Sequence, residues 1–368
     1  MRVLKPETEA QVADAVAGAF ADRTPLALEG NGTKRTIGRT VKAEAALKLS
    51  GLTGITMYEP DEMVFTARAG TPLAEIEAAL ARQGQMLAFE PTGTNATIGG
   101  VVAAGISGPR RFAAGGARDH LLGFHAVNGK GEQFKAGGRV VKNVTGYDLP
   151  KLAAGSFGTL FAMTELTLRA LPCTTNCILA IDGLEPGPAL RLLRGVAASP
   201  FDPTGLSYIA AKSLALIRLE GQADGVAARR DELCRTIARG ARVVDAEEGG
   251  HLYRAIAEVT PLFDDKTSLW RLSLPPTAAE TAVGRLNPKS WVADWAGGLL
   301  LAEFDQAPAN VHDVAKALGG HATVLRTTTP IHDVFTPLDP ATLALTQRLK
   351  DAFDPAGILN PGRMYQEI

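Results

Sequence analysis

The chain has 368 residues, 46% hydrophobic and 21% charged, enough for two ordinary domains with a sizeable core. With 38 Lys and Arg against 39 Asp and Glu, its formal net charge of -1 argues against a general nucleic-acid binder. Three cysteines, Cys173, Cys177 and Cys234, are too few for an ordinary all-cysteine iron–sulfur cluster. No apolar run reaches the length of a membrane span, and "MRVLKPETEA" lacks the apolar core of a signal peptide. A cytoplasmic chain with reduced, structural thiols is therefore expected.

In chain order, "ETEAQVADAVAGAF" sets Val12, Val16 and Phe20 four residues apart and predicts a helix with one apolar face. "TPLALEG" then reads as a short buried strand that runs into "NGTKRTIG". Gly30 and Gly32 let backbone N–H groups approach a ligand, and Lys34 and Arg35 follow, so the loop reads as a seat for an anion. Arg35 stands where a dinucleotide fingerprint needs its third glycine, and Thr33-Lys34-Arg35 replaces the end of a P-loop. A surface turn with two solvated cations is the competing reading. Next, "MVFTARAG" predicts a strand and "TPLAEIEAALARQG" a helix, with Thr71 as N-cap and Pro72 at the first helical position. Leu73, Ile76 and Leu80 make its stripe, and Gly84 stops it.

From Pro91 the chain turns dense in Gly, Ala and Thr with almost no helical periodicity, a texture suited to backbone packed against a flat, extended ligand. "GFHAVNGKGEQFKAGG" predicts a hairpin turning at Asn128 and Gly129, and "FGTLFAMTELTLRALP" a long strand ending at Pro172. Beyond it, "EPGPALRLLRGVAAS" and "GVAARRDELCRTIARG" read as helices, and "LSYIAAKSLALIRLEG" and "TSLWRLSLP" as strands. These predict a smaller α+β domain, an antiparallel sheet with helices on one face. The last helix places Leu345, Leu349 and Phe353 on one face, before a turn-rich tail holding Asn360, Pro361 and Gly362. The expected domains are 1–172 and 173–335, with 336–368 returning to the first.

Five segments then fall into one pattern: the loop at 30–35, "ATIGGVVAAG" at 96–105, "RDHLLG" at 118–123, "TGYDLPKLAAGSFGTLFAMT" at 145–164 and "FDPAGILNPG" at 353–362. In this order they resemble the flavoproteins of the vanillyl-alcohol oxidase type. The resemblance implies an α+β fold: a two-lobed PCMH-type FAD-binding domain plus a smaller α+β cap domain with a mainly antiparallel sheet. It implies that backbone N–H groups around Gly30, Gly32, Gly99 and Gly100 hold the FAD diphosphate, with Lys34 as a supplementary charge. It carries cofactor contacts onto Glu29, Gly30, Asn31, Gly32, Thr33 and Lys34, and onto Pro91, Thr92, Thr97, Ile98, Gly99, Gly100, Gly105 and Gly108. Arg118 and Asp119 follow, then Gly155, Ser156, Gly158, Thr159, Leu160, Met163 and Thr164. The first loop has no histidine to tether the cofactor, so non-covalent FAD is expected.

A narrower resemblance rests on "EPTGTNATIGGVVAAGISGPRR", "VVKNVTGYDLPKL", "LWRLSLP", "GGHAT" and "NPGRMY". These are similar to the E-subunit family of bacterial glycolate oxidases. That family implies an FAD-binding subunit beside a larger paralogous FAD subunit and an iron–sulfur subunit. The complex turns glycolate into glyoxylate, in the cytoplasm or at the inner face of the membrane. The "HGDGN" and "EHG" motifs of catalytically competent relatives are absent. The histidines, at 120, 125, 251, 312, 321 and 332, show no i, i+4 pairing, so no metal site is expected.

His321 is the best candidate for a base, with Arg326 as a carboxylate clamp; a turn histidine and a paired surface cation are the plainer readings. Lys142, Asn143 and Tyr147 are placed near the flavin ring, Tyr147 reading equally well as a core aromatic. Trp270 reads as a core or interface anchor, and Arg271 as facing a substrate or a partner chain. Arg110 and Arg111 read as solvated, with a phosphate contact as the alternative. Catalytic residues stay unassigned, and an accessory or electron-relay flavoprotein is the favoured function. A self-contained FAD-dependent 2-hydroxy-acid dehydrogenase acting on D-lactate-like substrates is the alternative, and a flavin-free assembly scaffold the third.

Overall fold

The first helix begins where its capping signal stands: Thr8 accepts from the Gln11 amide while the Gln11 side chain reaches back, a capping box that opens Glu9–Asp22. Val12, Ala13, Val16 and Ala19 form its buried face, whereas Phe20 is 36% exposed. This helix belongs with a parallel sheet ordered Arg2–Leu4, Ala45–Lys48, Leu26–Glu29. Together they enclose a small core of Val12, Val16, Leu26, Leu47 and Leu359.

The computed structural model describes residues 1–93, 95–139, 146–259, 262–329 and 331–368. They divide into two compact units. The first comprises Met1–Ser107, Gly115–Cys173 and Pro337–Ile368; the second comprises Gly108–Ala114 and Thr174–Thr336.

Besides the parallel sheet, the first unit holds five antiparallel strands ordered Ile55–Glu59, Val64–Arg68, Phe161–Arg169, Leu121–Asn128, Gln133–Gly137. The last two are the expected hairpin, turning at Asn128, whose side chain accepts from the Lys130 and Glu132 amides. The helix Leu73–Ala81 buries Leu73, Ile76 and Leu80 as its stripe predicts, but its N-cap is Pro72, not Thr71. Thr71 is buried, and its hydroxyl donates to Arg68 O at 2.7 Å and accepts from the Gly54 amide at 3.0 Å. It closes the preceding corner instead of capping the helix. The glycine-dense stretch contains an unexpected two-turn helix, Ile98–Ala104, capped by Thr97 and ended by Gly105 at φ 65°. Glycine and alanine at four of its seven positions conceal its periodicity.

The second unit is one antiparallel sheet of eight strands. Their order is Arg242–Val244, Thr175–Asp182, Leu214–Gly221, Pro203–Ile209, Ser290–Asp294, Leu299–Phe304, Ser268–Ser273, His321–Arg326. The stretch read as one strand, "LSYIAAKSLALIRLEG", is two, joined by a tight turn with Ser213 at φ 47°. Helices cover both faces of this sheet. Pro186–Ala197 and Ala223–Thr236 pack on Leu179, Ile217 and Leu219, while Tyr253 and Ile256 of Ala246–Glu258 pack on Ile178, Leu216 and Leu301. The continuous apolar run "LALI" is the mark of a strand buried on both sides, and it corrects the expectation of a single covered face.

Within the first unit, the helix Pro340–Phe353 leaves Leu345 51% exposed and Leu349 and Phe353 only partly buried. Its buried residue is Lys350, whose ammonium donates to Thr159 O at 2.7 Å, Leu359 O at 2.8 Å and the Asp354 carboxylate at 2.7 Å. Burial pushes Lys350 below its ordinary pKa, with Asp354 opposing the shift. Replacement by methionine leaves the Asp354 carboxylate buried without its cation. Lys350→Met is therefore expected to cost about 3 kcal/mol of stability, read as a lower urea midpoint. An unchanged midpoint would show that the amides of Ile358 and Leu359, which also donate to Asp354, satisfy it alone.

Candidate functional site

The strand Leu26–Glu29 delivers the chain into the loop at 30–35. Gly32 lies at φ 73°, and the loop closes by Arg35 N to Gly32 O at 3.2 Å and Ile37 N to Lys34 O at 3.1 Å. Arg35 pairs with Glu29 across its mouth, Nε to Oε1 being 3.0 Å. Among the described residues, the amides of Asn31, Gly32 and Thr33 donate to no protein acceptor. Successive open N–H groups of this kind form a concavity for an anion.

A pocket of about 260 Å³ opens on this loop, lined also by Thr40, Val41, Thr97, Gly100, Ala103, Phe157, Asn360 and Arg363. A second cavity of about 70 Å³ shares Gly30, Thr97, Gly100 and Phe157 with it and adds Gly99, Gly158 and Met163. Gly30 is required by close approach: a Cβ there would lie 2.2 Å from Thr97 Oγ1, the atom that caps the helix Ile98–Ala104.

The structure distributes the sequence-predicted residues unevenly. Glu29, Gly30, Asn31, Gly32, Thr33, Lys34, Thr97, Gly99, Gly100, Gly158 and Met163 line one or both cavities. The Gly99 amide, however, donates to Ala69 O at 2.8 Å, and a Cβ there would meet that oxygen at 2.9 Å. Gly99 thus serves close packing, and its N–H is not open to a ligand. Lys34 directs its ammonium to Thr92 O at 2.7 Å, tying the two loops together instead of standing as a solvated charge. Ile98 is buried with its amide on Thr71 O, and Gly105 packs its helix end against Gly155. Ser156 and Thr159 use their hydroxyls on Ala153 O and Ser156 O, Leu160 is buried, and Thr164 donates to Glu9 at 2.9 Å.

Pro91, Thr92, Gly108, Arg118 and Asp119 line neither cavity. Pro91 bridges to Ser107, and Asp119 accepts from the Gly116 amide at 2.8 Å beside an exposed Arg118. Gly108 belongs to the second unit, where its carbonyl accepts from Trp295 Nε1. Lys142 and Asn143, with Thr145 at the start of their motif, lie outside the described residues. Tyr147 is 91% exposed, so the core-aromatic reading is wrong.

His321 and Arg326 do not converge. In the ladder His321 faces Ser273 and Arg326 faces Leu269, a separation of about 13 Å at about 3.3 Å per residue. Arg326 donates to Thr267 O at 3.0 Å and to Asp264 O, closing a loop instead of waiting for a carboxylate. Arg110 is not solvated either. It makes a two-pronged pair with Glu220, both contacts 3.0 Å, in the second unit. Burial would raise the Glu220 carboxyl, yet Arg110 and Arg218 bring it below its ordinary value. Trp270 is the expected core anchor. Burial pushes the Cys177 and Cys234 thiols up, away from the thiolate form that metals and electrophiles require.

Several lining residues escaped the sequence reading, Asn360, Arg363 and Phe157 among them. Asn360 accepts from the Leu28 amide at 2.8 Å and donates to Phe157 O at 2.7 Å. Arg363 donates to Lys34 O at 2.8 Å and Arg39 O at 3.2 Å; burial lowers its pKa and Glu29 opposes this. Phe157, at φ 51°, lines both cavities. The only outward sign was the density of turn formers in "NPGR".

Chemically, the site offers open amides, an apolar wall, and ionic side chains already committed to protein partners. Open amides of this kind can accept an anion, and among the described residues no free acid or base stands beside them. Among the described residues, no group of three or more His, Cys, Asp or Glu could hold a metal ion.

Comparison with known proteins shows what the chain is similar to. A profile described as "FAD binding domain" matches residues 1–137, and one described as "FAD linked oxidases, C-terminal domain" matches residues 334–364. The glycolate oxidase subunit GlcE of Escherichia coli is 36% identical over 353 residues, covering 95% of this chain and 95% of its own. The glycolate oxidase subunit GlcD of Bacillus subtilis is 24% identical, covering 99% of this chain and 88% of its own. The D-lactate dehydrogenase of Archaeoglobus fulgidus is 31% identical but covers 46% of this chain and 38% of its own. Among solved structures, alkyldihydroxyacetonephosphate synthase shares the fold, with a TM-score of 0.72 and 16% identity over 98% of this chain and 76% of that one.

Open amides suit a dinucleotide diphosphate, and a side chain at Gly30 would have to displace Thr97 beside them. Gly30→Ala is expected to weaken FAD binding at least about tenfold, or about 1.4 kcal/mol. Gly18→Ala, where nothing lies within 4 Å, leaves the affinity unchanged. Fluorescence titration of the flavin-free chain with FAD measures both, and an unaffected Gly30→Ala would detach this loop from the cofactor.

Proposed function

This chain belongs to the FAD-linked oxidase family, among relatives of the glycolate oxidase subunit GlcE, and from that membership we propose its working role. It is an FAD-dependent oxidoreductase subunit of a complex that oxidises glycolate to glyoxylate. Beside a larger catalytic paralogue of the GlcD kind, it serves as an accessory or electron-relay flavoprotein.

The observation that carries this reading is a contrast within one site. The Asn31, Gly32 and Thr33 amides stand open on the pocket, while among the described residues its acidic and basic side chains are committed to protein partners. Oxidation of a 2-hydroxy acid needs a base for the hydroxyl proton and a clamp for the carboxylate. The pair that sequence nominated for those tasks is split along a strand. When bound, FAD supplies hydride acceptance and onward electron transfer. The protein's part here is to bind the diphosphate on the loop at 30–35 and to shape an apolar wall from Phe157, Gly158 and Met163. Among the described residues, no histidine lines either cavity, which supports a dissociable cofactor.

The iron–sulfur subunit of such a complex would carry the clusters, since this chain has three cysteines and burial keeps two of them protonated. Any membrane attachment would fall to the complex: among the described residues, no helix is long and apolar enough to cross a bilayer. The self-contained dehydrogenase reading draws on the partial match to D-lactate dehydrogenase.

The test is spectral. The isolated chain, reconstituted with FAD and given glycolate without oxygen, is expected to keep its oxidised flavin band and to bleach once the larger paralogue is added. Bleaching in the isolated chain would transfer the reading to a self-contained dehydrogenase. Absence of a flavin band after incubation with FAD would leave only a scaffold.

A further inference from the structure

The second unit carries two guanidinium groups on one indole. Trp295 opens the turn Trp295–Gly297 between the strands Ser290–Asp294 and Leu299–Phe304, and all three turn residues have positive φ, 52°, 56° and 101°. Non-glycine residues are rarely held this way unless the surroundings enforce it. Here Asp294 does so, its Oδ1 accepting from the Trp295 amide and from Ser207 Oγ, both at 2.8 Å. The indole is fixed at its other end, where Nε1 donates to Gly108 O at 3.3 Å. The tryptophan is a rigid platform.

Arg111 lies over it with Cζ 5.0 Å from the ring centroid, and Arg271 with Cζ at 5.2 Å. Arg111 is the exposed neighbour of Arg110, which is locked to Glu220. Arg271 projects half-buried from the strand Ser268–Ser273. The ladder sets His321 opposite Ser273, so His321 and Arg271 are diagonal neighbours on one sheet face, about 7–8 Å apart. Among the described residues, neither the Arg111 nor the Arg271 side chain makes an ion pair or a hydrogen bond. Most other half-buried arginines have acceptors: Arg110 has Glu220, Arg326 has backbone carbonyls, and Arg363 has Lys34 O and Arg39 O.

Two like charges on one platform repel, and a cation–π contact at a partly exposed site contributes only about 0.5–1 kcal/mol. Burial, with Arg111 adding to it, pushes Arg271 down to about 10. Partial burial and the same two arginines hold His321 below its ordinary value, so its ring is neutral at pH 7. With the Asp294 carboxylate beside Arg271, the cluster carries one net positive charge, which a single carboxylate balances.

We propose that Arg111 and Arg271, stacked on Trp295 with His321 beside them, form a binding site for a small carboxylate of the 2-hydroxy- or 2-oxo-acid class. A guanidinium fork matches a planar carboxylate with two parallel hydrogen bonds. The indole face takes the short carbon chain, and neutral His321 can accept a hydrogen bond from a 2-hydroxyl group. The carboxylate chemistry follows from the cluster itself; the 2-hydroxy- or 2-oxo-acid class rests on the function proposed above.

The FAD-loaded full chain is titrated with glycolate, with oxalate and with inorganic phosphate, by calorimetry and by tryptophan fluorescence. Glycolate and oxalate are expected to bind one per chain, with a fluorescence change from Trp295. Arg111→Gln and Arg271→Gln are each expected to weaken that binding at least tenfold while the flavin band stays unchanged. Arg111 is exposed, so its variant keeps the test valid if Arg271→Gln fails to fold. Absence of binding by the wild type, or wild-type affinity in Arg111→Gln, would overturn the site. Phosphate binding as tightly as oxalate would overturn the carboxylate assignment. Failure of the proposed function shows separately, as a missing flavin band or as no bleaching in the assembled complex, and neither enters the calorimetric readout.

Discussion

Asn360 holds two parts of the first unit at once, its side-chain oxygen on the Leu28 amide and its nitrogen on the Phe157 carbonyl. Around it the tail runs alongside the first buried strand, with Leu26 N on Ile358 O at 2.7 Å and Asn360 N on Leu26 O at 2.9 Å. Three residues on, Arg363 fixes the carbonyls of Lys34 and Arg39. The loop at 30–35 is thereby gripped through its carbonyl side, and its amide side is left facing the pocket. Each such bond contributes about 0.5–1.5 kcal/mol net, but leaving a buried partner unmade costs about 1–3 kcal/mol. The tail is thus hard to release piecemeal. Lys350 and Asp354 pin the turn that starts it, reaching the carbonyl of Thr159 in the same turn that presents Phe157.

This arrangement separates binding from chemistry. Amides are fixed dipoles that carry no proton to exchange with a substrate, so a site made of them grips a diphosphate without titrating near neutrality. The charged groups around it, Glu29 with Arg35, Lys34 with Thr92 O and Arg363 with backbone, stabilise the loop itself. Among the described residues, two guanidinium groups without acceptors lie instead in the second unit, on Trp295. A flavin carrier in a larger assembly needs the first feature; contact with a small acid needs the second.

Much of the first unit was legible because its signals are local. Gly30 and Gly32 after an apolar strand, the turn at Asn128, and the stripe of Leu73, Ile76 and Leu80 each depend on residues a few positions apart. The charge of Lys34 was legible but its direction was not: its ammonium is drawn to a carbonyl of another loop, Thr92 O. Gly99 was read as an amide donor when its missing side chain answers the backbone of Ala69.

What stayed illegible depends on partners distant in sequence. Nothing near Asn360 announces a contact with Leu28, 332 positions away. His321 and Arg326 look adjacent along the chain, yet only the ladder to Ser268–Ser273 shows how far apart they stand. Arg111, Arg271 and Trp295 lie on three separate segments, and no spacing rule joins them. The central claim is that the amides of Asn31, Gly32 and Thr33 hold the cofactor's diphosphate. Hydrogen exchange of the full chain with and without FAD tests it most directly. Those three amides are predicted to slow at least about tenfold on FAD binding, while Gly99, already bonded to Ala69, changes little. Unchanged exchange at Asn31, Gly32 and Thr33 with FAD demonstrably bound would contradict the account.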